Sequence, residues 1–360
     1  MRKIIISLIA FVISFNTLPA KHRDKKIVKG IIERYLSENN NFSTTKDVWG
    51  NYTLDLTVEA IINYTLNSND KEYIPIINRF FTFRNYTAQT PVSFSKSPFC
   101  DVYYSYFQLN QDSGFVKNYV QESYAIKQNT PRFSNGAVCI MHNGMPYMLI
   151  DFLQNYVTRM ARAGNLSGDT AFYAEACNQL KIYTRILQYP DSKLYSQGLG
   201  WLEDKNQLSP SAWLRGQGWM MRGFVNTLNE MPENSVYFLE IKKIFQGFAE
   251  GLIKLQSKSG MWHNLPLLSE KESYPEVSGS AMIAYYILQA YEKGYLSENK
   301  FKHAALRTKK EIRKYIQSDF SIRNISPGPG TLYSINEYKT NAEIDNPHGI
   351  QAVLLLLSQK

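Results

Sequence analysis

The sequence predicts an all-α fold, and three observations support this. Apolar residues recur at helical spacings of three and four residues through most of the chain, for example at Ala60, Ile61 and Tyr64, with Leu56 one turn before Ala60. Strict alternation of apolar and polar residues over a strand length is almost absent. Stretches rich in polar residues, Gly or Pro separate the periodic segments. These stretches are 67–70, 165–169, 231–234 and 326–330.

Helical segments follow one another along the chain. The first two are 56–66 and 73–83, the second with Ile76, Ile77, Phe80 and Phe81 on one face. The others cover roughly 102–110, 115–127, 146–163, 169–187, 214–230, 235–256, 278–293, 299–317 and 348–358. Adjacent segments pair as hairpins without a linker composition, so we expect one domain over 46–360, preceded by a lead-in over 21–45. Periodicity does not choose between a solenoid, a bundle and a closed double ring.

The first 20 residues have the order of a secretory signal peptide. Arg2 and Lys3 precede an apolar run that starts at Ile4, and Ala20 supplies a small residue for cleavage. The run of about 12 residues is too short for a stable bilayer span, which makes a membrane anchor the less favoured alternative. We therefore expect residues 1–20 to be removed and the mature chain to be exported, to the periplasm or beyond.

Charge and composition narrow the classes of function. The chain carries 40 Lys and Arg against 31 Asp and Glu, but the basic residues are scattered, which favours a solvated surface over nucleic-acid or membrane binding. An excess of basic residues is also compatible with an anionic saccharide as the substrate. The 3 Cys imply no disulfide framework, and the 5 His lack metal-ligand spacing, so no metal site is indicated.

Aromatic residues make up 14% of the chain. Flat rings stack on the apolar faces of sugars, although large helical cores use them as well. Four irregular segments are rich in Trp, His, Gly or charge and are expected to line a groove. They are 131–147, 193–216, 257–277 and 324–347.

Three motifs resemble those of the unsaturated uronyl hydrolases of glycoside hydrolase families 88 and 105. The stretch 211–219, Ser-Ala-Trp-Leu-Arg-Gly-Gln-Gly-Trp, is similar to the family run W-G-R-G-N-G-W. The stretch 255–282 contains G-M-W-H and E-V-S-G-S-A-M, where the family has G-L-W-H and E-T-S-G-T-A-M. Residues 328–331 and 346–350 resemble its glycine-rich turn and closing H-G-I helix. The resemblance covers about residues 50–358 and is most specific over 205–295.

The resemblance implies an (α/α)6 six-hairpin toroid without a metal or organic cofactor. It also implies an anionic oligosaccharide substrate that ends in a 4,5-unsaturated uronic acid. In this family a carboxylic acid protonates the enol-ether double bond and water adds at C5. The resulting hemiketal then opens and releases the sugar.

Arg215 lies between Trp213 and Trp219 in the first motif. A guanidinium fork can form two parallel hydrogen bonds to a uronate carboxylate, and the resemblance implies this role. Pairing with an acidic neighbour is the structural alternative. The two Trp side chains would stack on sugar rings, unless one of them belongs to the core. The resemblance indicates further substrate-binding residues, namely His142, Gln197, Trp262, His263, Ser278 and His348.

Two of these residues carry a structural alternative. Trp262 and His263 could equally pack under a turn. Ser278 could reach the substrate, whereas its neighbour Glu276 is expected to support the N-terminal end of a helix, where anionic side chains are favourable.

The general acid of the family has no direct match. The family has an aspartate ahead of a Tyr-Met pair, where this chain has Asn143 and Gly144, and neither can deliver a proton. A second family aspartate would fall near Lys96, and Asp101 is the nearest candidate. Gln197 replaces a family histidine. The catalytic candidates are Asn143, which occupies the position of the family acid, and Asp101 and Asp151, either of which could replace that acid because burial can raise the pKa of a carboxyl toward neutrality. His142 is another source of the proton.

Two other functions stay open. An ordinary glycosidase would need two facing carboxylates, about 5–5.5 Å apart for retention or 6.5–9.5 Å for inversion. A carbohydrate-binding protein without activity would have no carboxylate near Arg215. The carboxylates around Arg215 and Trp213 therefore discriminate between the three functions.

Overall fold

The computed structural model describes residues 20–39, 48–84, 86, 99–142, 144–200, 206–330 and 334–359. The predicted signal peptide lies outside them, apart from Ala20. The described α-helices are α1 Ala20–Glu38, α2 Val48–Ser68, α3 Ile74–Phe83, α4 Val102–Asn110, α5 Ser113–Asn129, α6 Ile150–Ser167, α7 Thr170–Leu187, α8 Leu214–Glu230, α9 Val236–Lys254, α10 Val277–Glu292, α11 Asn299–Ile312, α12 Ile335–Tyr338 and α13 Pro347–Ser358. Short 3-10 helices span Lys71–Tyr73 and Arg313–Tyr315. The all-α prediction is confirmed.

Six helices form a closed inner ring in the order α2, α4, α6, α8, α10 and α13. Packing contacts join α2 to α4, α6 to α8, α8 to α10 and α10 to α13, and α13 packs on α2 to close the ring. The segment that leads into α4 is linked to α6 by hydrogen bonds, from Gln154 Nε2 to Phe99 O (2.5 Å) and from Asn155 Nδ2 to Cys100 O (3.4 Å). The other long helices lie outside this ring: α1 packs on α13, α3 on α2, α5 and α7 on α6, α9 on α7 and α8, and α11 on α10.

Charged residues also connect helices through the interior of the ring. The α2 residue Glu59 accepts two hydrogen bonds of 2.8 Å from Arg222 Nη2 on α8, and α2 and α8 are opposite in the ring order. Both side chains are buried. Arg162 on α6 pairs with Asp101, the residue before α4 (3.0 Å). Buried charges with such partners are expensive to break, because one ion would be left without compensation.

A small antiparallel sheet precedes α6. Its strands are β1 Ile140–His142, β2 Met145–Leu149 and β3 Gly198–Leu199, in that order across the sheet. Ile140 pairs with Tyr147, and Leu149 pairs with Gly198. The sheet holds the start of α6 against the segment that contains Gln197, since the Ile150 N–H donates to Gln197 O (3.1 Å).

The helices begin and end at capping residues and glycines that can be recognised in the sequence. Gly168 ends α6 with a φ of +75°, a conformation that glycine adopts without steric cost, and Asp169 caps α7 by accepting from the Ala171 N–H. Asp112 and Ser235 cap α5 and α9 in the same way. Among the described helices, none has both the length and the apolar character needed to span a bilayer.

The structure differs from the sequence prediction in three segments. Residues 146–149, expected to be helical, form β2, and α6 starts at Ile150. The last turn expected in 299–317 is replaced by the 3-10 helix Arg313–Tyr315. The predicted lead-in contains α1, which packs on α13 and has buried apolar residues such as Val28 and Ile32.

Candidate active site

A cavity of about 330 Å³ opens at the N-terminal end of the inner ring. Its described lining consists of Tyr52, Phe99, Tyr147, Leu149, Asp151, Gln197, Trp213, Arg215, Trp219, Gly328, Pro329, Gly330 and His348. Asp151, Arg215 and His348 belong to the first turns of α6, α8 and α13. The positive ends of several helix dipoles are therefore directed toward the cavity, which favours an anionic ligand.

Arg215 is fully buried beside this cavity. Its Nη1 donates to Ser278 Oγ (3.0 Å) and Ser326 O (2.6 Å), and its Nη2 donates to Pro327 O (2.7 Å). Among the described residues, no Asp or Glu forms an ion pair with Arg215, and its Nε has no hydrogen-bond partner there. The structural alternative, in which Arg215 pairs directly with an acidic neighbour, is thus not found among the described residues, and the guanidinium is held by neutral oxygen atoms.

Glu276 and Ser278 support the Arg215 guanidinium through a chain of hydrogen bonds. Glu276 is the N-cap of α10 and accepts from the backbone N–H groups of Ser278 and Gly279, which confirms its predicted role at a helix start. Ser278 Oγ donates to Glu276 (2.5 Å) while it accepts from Arg215. Ser278 is therefore engaged inside the protein and does not line the cavity. Burial lowers the pKa of Arg215, and the nearby Glu276 opposes this effect.

Asp151 is the one carboxylate that the described residues place in the cavity wall. Its Oδ2 is buried and has no hydrogen-bond partner among them. Burial raises the pKa of Asp151 to about 7, while the positive charge of Arg215 and a hydrogen bond from Trp219 act in the opposite direction. Near neutral pH this carboxyl can therefore hold a proton and release it, as a general acid must.

The predicted Trp pair lines the cavity on both sides of Arg215. The Trp213 ring lies 4.4 Å from the guanidinium carbon, and its Nε1 donates to Ser326 Oγ (3.0 Å). Trp219 belongs to the large apolar core while one part of it reaches the cavity. Both indoles offer ring surface, although each is nearly fully buried.

Gln197 and His348 also line the cavity, as predicted. Gln197 Oε1 accepts from Tyr338 Oη (2.5 Å), and its Nε2 donates to Pro329 O (3.3 Å). His348 makes a short hydrogen bond with Tyr52 Oη and packs edge-on against the Tyr52 ring. Burial, with the charge of Arg215, lowers the pKa of His348 well below its ordinary value, so its ring is neutral.

Other predicted residues lie away from the cavity. Asp101 is buried, accepts from Tyr119 Oη and pairs with Arg162, so the structure does not place it where it could protonate a ligand. Trp262 is a core residue whose Nε1 donates to Leu252 O (2.8 Å). His263 Nδ1 bonds to Ser273 O (2.5 Å). Trp262 and His263 thus follow the structural alternative, in which they pack under a turn.

Two predicted positions cannot be placed. Asn143 and the side chain of His142 lie outside the described residues. Within the described part of the chain, no group of three or more His, Cys, Asp or Glu side chains is arranged to hold a metal ion.

The sequence did not identify Tyr52, Phe99 or Tyr147 as site residues. Tyr52 and Phe99 lie before residue 130, where the family resemblance is weak, and no local motif marks them. Tyr147 lies at the end of segment 131–147, which was expected to line a groove, but it was not singled out as a site residue. Gly328, Pro329 and Gly330 lie in segment 324–347, which was also expected to line a groove, and they belong to the cavity wall.

Comparison with known proteins places this architecture in a family. The model of Glycosyl Hydrolase Family 88 matches residues 23–359. An unsaturated rhamnogalacturonyl hydrolase, YesR, of Bacillus subtilis is 22% identical over 321 residues, which cover 88% of this chain and 89% of that protein. An unsaturated 3S-rhamnoglycuronyl hydrolase of Formosa agariphila is 27% identical over 180 residues, 48% of this chain. The match spans about half the length of that relative (47%).

A solved structure supports the fold. The family 105 glycoside hydrolase of C. acetobutylicum ATCC 824 superposes with a TM-score of 0.78 at 19% identity, and the match covers 92% of this chain and 98% of that one. The expected α/α toroid, six inner helices with outer partners, is confirmed.

Proposed function

This chain belongs to glycosyl hydrolase family 88, and we propose that it hydrolyses oligosaccharides that end in a 4,5-unsaturated uronic acid. The observation that carries the proposal is the placement of Arg215 and Asp151. A buried guanidinium without a direct ion pair among the described residues and a carboxyl with a raised pKa share one ring-lined cavity. The matched relatives are named as hydrolases of unsaturated rhamnogalacturonyl and rhamnoglycuronyl substrates, which supports this substrate class.

In this proposal Arg215 binds the uronate carboxylate. Its Nη1 and Nη2 are oriented by the carbonyls of Ser326 and Pro327, which leaves Nε without a partner among the described residues. Charge-assisted hydrogen bonds in a partly desolvated site are stronger than neutral ones. The helix N-termini around the cavity add to the attraction for an anion. Trp213 and Trp219 would pack against the sugar ring.

Asp151 supplies the proton in this proposal. It gives its proton to C4 of the double bond, and the positive charge that develops at C5 is shared with the ring oxygen. Water adds to C5 and returns a proton to the Asp151 carboxylate. The hemiketal at C5 opens to a ketone, so that C1 becomes a hemiacetal, which collapses to an aldehyde and releases the second sugar. No bond between enzyme and sugar is needed.

The described carboxylates favour this reaction over the alternatives. A two-carboxylate glycosidase requires a second acid facing the first. Among the described residues, Asp151 has no such partner in the cavity wall. A binding protein without activity would have no reason to keep a carboxyl there whose pKa is raised to about 7.

Absorbance of the unsaturated uronate tests the proposal. The protein is incubated with unsaturated disaccharides prepared by lyase digestion of pectin and of glycosaminoglycans, and the loss of the double-bond absorbance is followed. We expect loss with at least one of them. Folded protein that leaves both sets unchanged would contradict the proposal.

Arg215→Lys tests the role of the guanidinium. Lys keeps the charge but cannot form the planar fork, so we expect KM to rise at least about tenfold for uronate-bearing disaccharides. Arg185→Lys, at an exposed position of α7, is the matched control and should behave like the parent protein. Equal KM values for the two variants would remove Arg215 from substrate binding.

Export is part of the same proposal. The basic start, apolar run and small residues of 1–20 support secretion, which would place the protein where polysaccharide fragments are found. Detection of a mature N-terminus close to residue 21 in the periplasmic or culture fraction would test it.

A further inference from the structure

The side chain of Asn346 has one possible orientation. Its Oδ1 accepts from the His348 backbone N–H (3.0 Å), and its Nδ2 donates to Glu343 Oε2 (2.6 Å). A backbone N–H can only donate and a carboxylate can only accept. The oxygen and the nitrogen of this amide are therefore assigned by their partners.

This orientation determines the tautomer of His348. Asn346 Oδ1 also lies 2.5 Å from His348 Nδ1, so Nδ1 must carry a hydrogen. The imidazole is neutral, because burial and the charge of Arg215 disfavour its protonated form. A neutral ring with hydrogen on Nδ1 has a free lone pair on Nε2.

The hydroxyl group of Tyr52 consequently donates its hydrogen bond to His348 Nε2. Tyr52 Oη and His348 Nε2 form a short hydrogen bond, and Nε2 can only accept in it. Burial raises the pKa of Tyr52 to about 12, so the phenol keeps its proton near neutral pH. Because its proton is donated to His348, Tyr52 Oη can only accept a further hydrogen bond. The Tyr52 side chain lines the cavity.

The surrounding residues fix this arrangement. Gly328 packs so closely that a Cβ on it would lie 3.0 Å from His348 Cε1 and 3.1 Å from Nε2. Tyr52 contacts Phe99 with ring centroids 5.0 Å apart. Gly328 and Phe99 therefore lie against the two partners of the hydrogen bond.

We propose that Tyr52 is a positioning residue that acts only as a hydrogen-bond acceptor and orients an O–H donor of the reaction in the cavity. This rests on the proposed function. Arg215 and protonated Asp151 are donors, while Gln197 is engaged with Tyr338 and Pro329. In the proposed reaction Asp151 takes one proton of the attacking water, so the second O–H of that water, or a hydroxyl of the sugar, can donate to Tyr52. The donor is either the water that adds to C5 or a hydroxyl of the bound sugar.

Nitrogen NMR of the ligand-free protein tests the tautomer independently of activity. Long-range correlation spectra of protein with ¹⁵N-labelled histidine should show His348 protonated on Nδ1 and unprotonated on Nε2, with no change between about pH 6 and 8. Loss of this signal in His348→Phe assigns it. A hydrogen on Nε2, or a doubly protonated ring, would overturn the proposal. Absence of turnover would count against the proposed function and leave this measurement valid.

Kinetics of Tyr52→Phe identify the donor. This substitution removes the oxygen and keeps the ring, and we expect kcat/KM to fall about tenfold. A fall in kcat at constant KM indicates the attacking water, whereas a rise in KM indicates a sugar hydroxyl. Tyr291→Phe, at the far end of α10, is the control and should have parental kinetics. Unchanged kcat and KM in Tyr52→Phe would exclude Tyr52 as the acceptor.

A double-mutant cycle tests whether His348 acts through Tyr52. His348→Phe releases the Tyr52 hydroxyl proton, so kcat/KM should fall in the parent protein but not further in the Tyr52→Phe background. Additive effects of the two substitutions would show that His348 acts by another route and would overturn the acceptor role.

Discussion

Asp151 and Arg215 occupy the first turns of two neighbouring inner helices, α6 and α8, and line the same cavity. Burial raises the pKa of the carboxyl to about 7, against the attraction of the guanidinium, which favours its charged form. The same Arg215 would be neutralised by the carboxylate of a bound uronate. Substrate binding would therefore raise the pKa of Asp151 further and keep its proton in place until the double bond is positioned.

The first prediction concerns the pH dependence of hydrolysis. Because the proposed general acid is the protonated form of Asp151, kcat/KM should be constant at low pH and fall as the pH rises through about 7. Asp151→Asn should lower kcat by about 10²–10⁴-fold, the usual contribution of general acid catalysis. The absorbance assay between pH 5 and 9 measures both. A parental profile that rises through pH 7 would contradict the assignment.

The second prediction concerns stability. Between the ordinary pKa of 3.8 and about 7, folded Asp151 holds a proton that the unfolded chain has lost. Its contribution to the free energy of unfolding is therefore full below about pH 4 and is lost as the pH rises to about 7. Asp151→Asn avoids this loss and should be more stable than the parent protein at pH 8, by up to about 4 kcal/mol. Urea denaturation at pH 5 and pH 8 measures the difference, and a difference independent of pH would refute the raised pKa.

The third prediction concerns the glycine turn. The Cβ of Gly328→Ala would press on the His348 ring, so we expect kcat/KM to fall several-fold with little change in the urea midpoint. Gly247→Ala is a suitable control, because nothing lies within 4 Å of its added Cβ in α9. Ala should be neutral or slightly stabilising there. Equal kinetics of the two variants would show that the imidazole has room to move.

The fourth prediction concerns the ion pair between opposite inner helices. Glu59→Gln leaves the buried Arg222 without its negative partner, and the free energy of unfolding should fall by about 3–5 kcal/mol. Glu240→Gln removes a partner of the exposed Lys181 and should have little effect. Urea denaturation of both variants gives the comparison. Similar losses would mean that the pair between α2 and α8 contributes no more than a surface contact.

Much of the scaffold could be predicted because helical periodicity and capping residues act locally. The motif around Arg215 also places its aromatic neighbours in the cavity wall, and Glu276 caps α10 as expected. Strand β2 was missed because its apolar residues continue directly into the buried start of α6, and short apolar runs do not distinguish the two structures. Helix α1 was missed because its first turns are dominated by charged residues.

Long-range pairing was beyond the reach of the sequence. Asp101 was a candidate general acid, but it pairs with Arg162, which lies 61 residues away in the sequence, and no local pattern indicates this pair. Likewise, nothing near Tyr52 in the sequence indicates that its hydroxyl group forms a hydrogen bond with His348. Asp151 was one of several acids, and its position in the cavity wall depends on the sheet that sets the start of α6.

The closure of the ring by α13 on α2 has a consequence for biosynthesis. Tyr52 and His348 are 296 positions apart, yet they meet in one hydrogen bond. A nascent chain leaving the ribosome can assemble most of its hairpins early, but it has no complete cavity until the helix with His348 has been synthesised and has docked. Ligand binding would thus report on the last event of folding, and intermediates that have not closed would be unable to engage substrate.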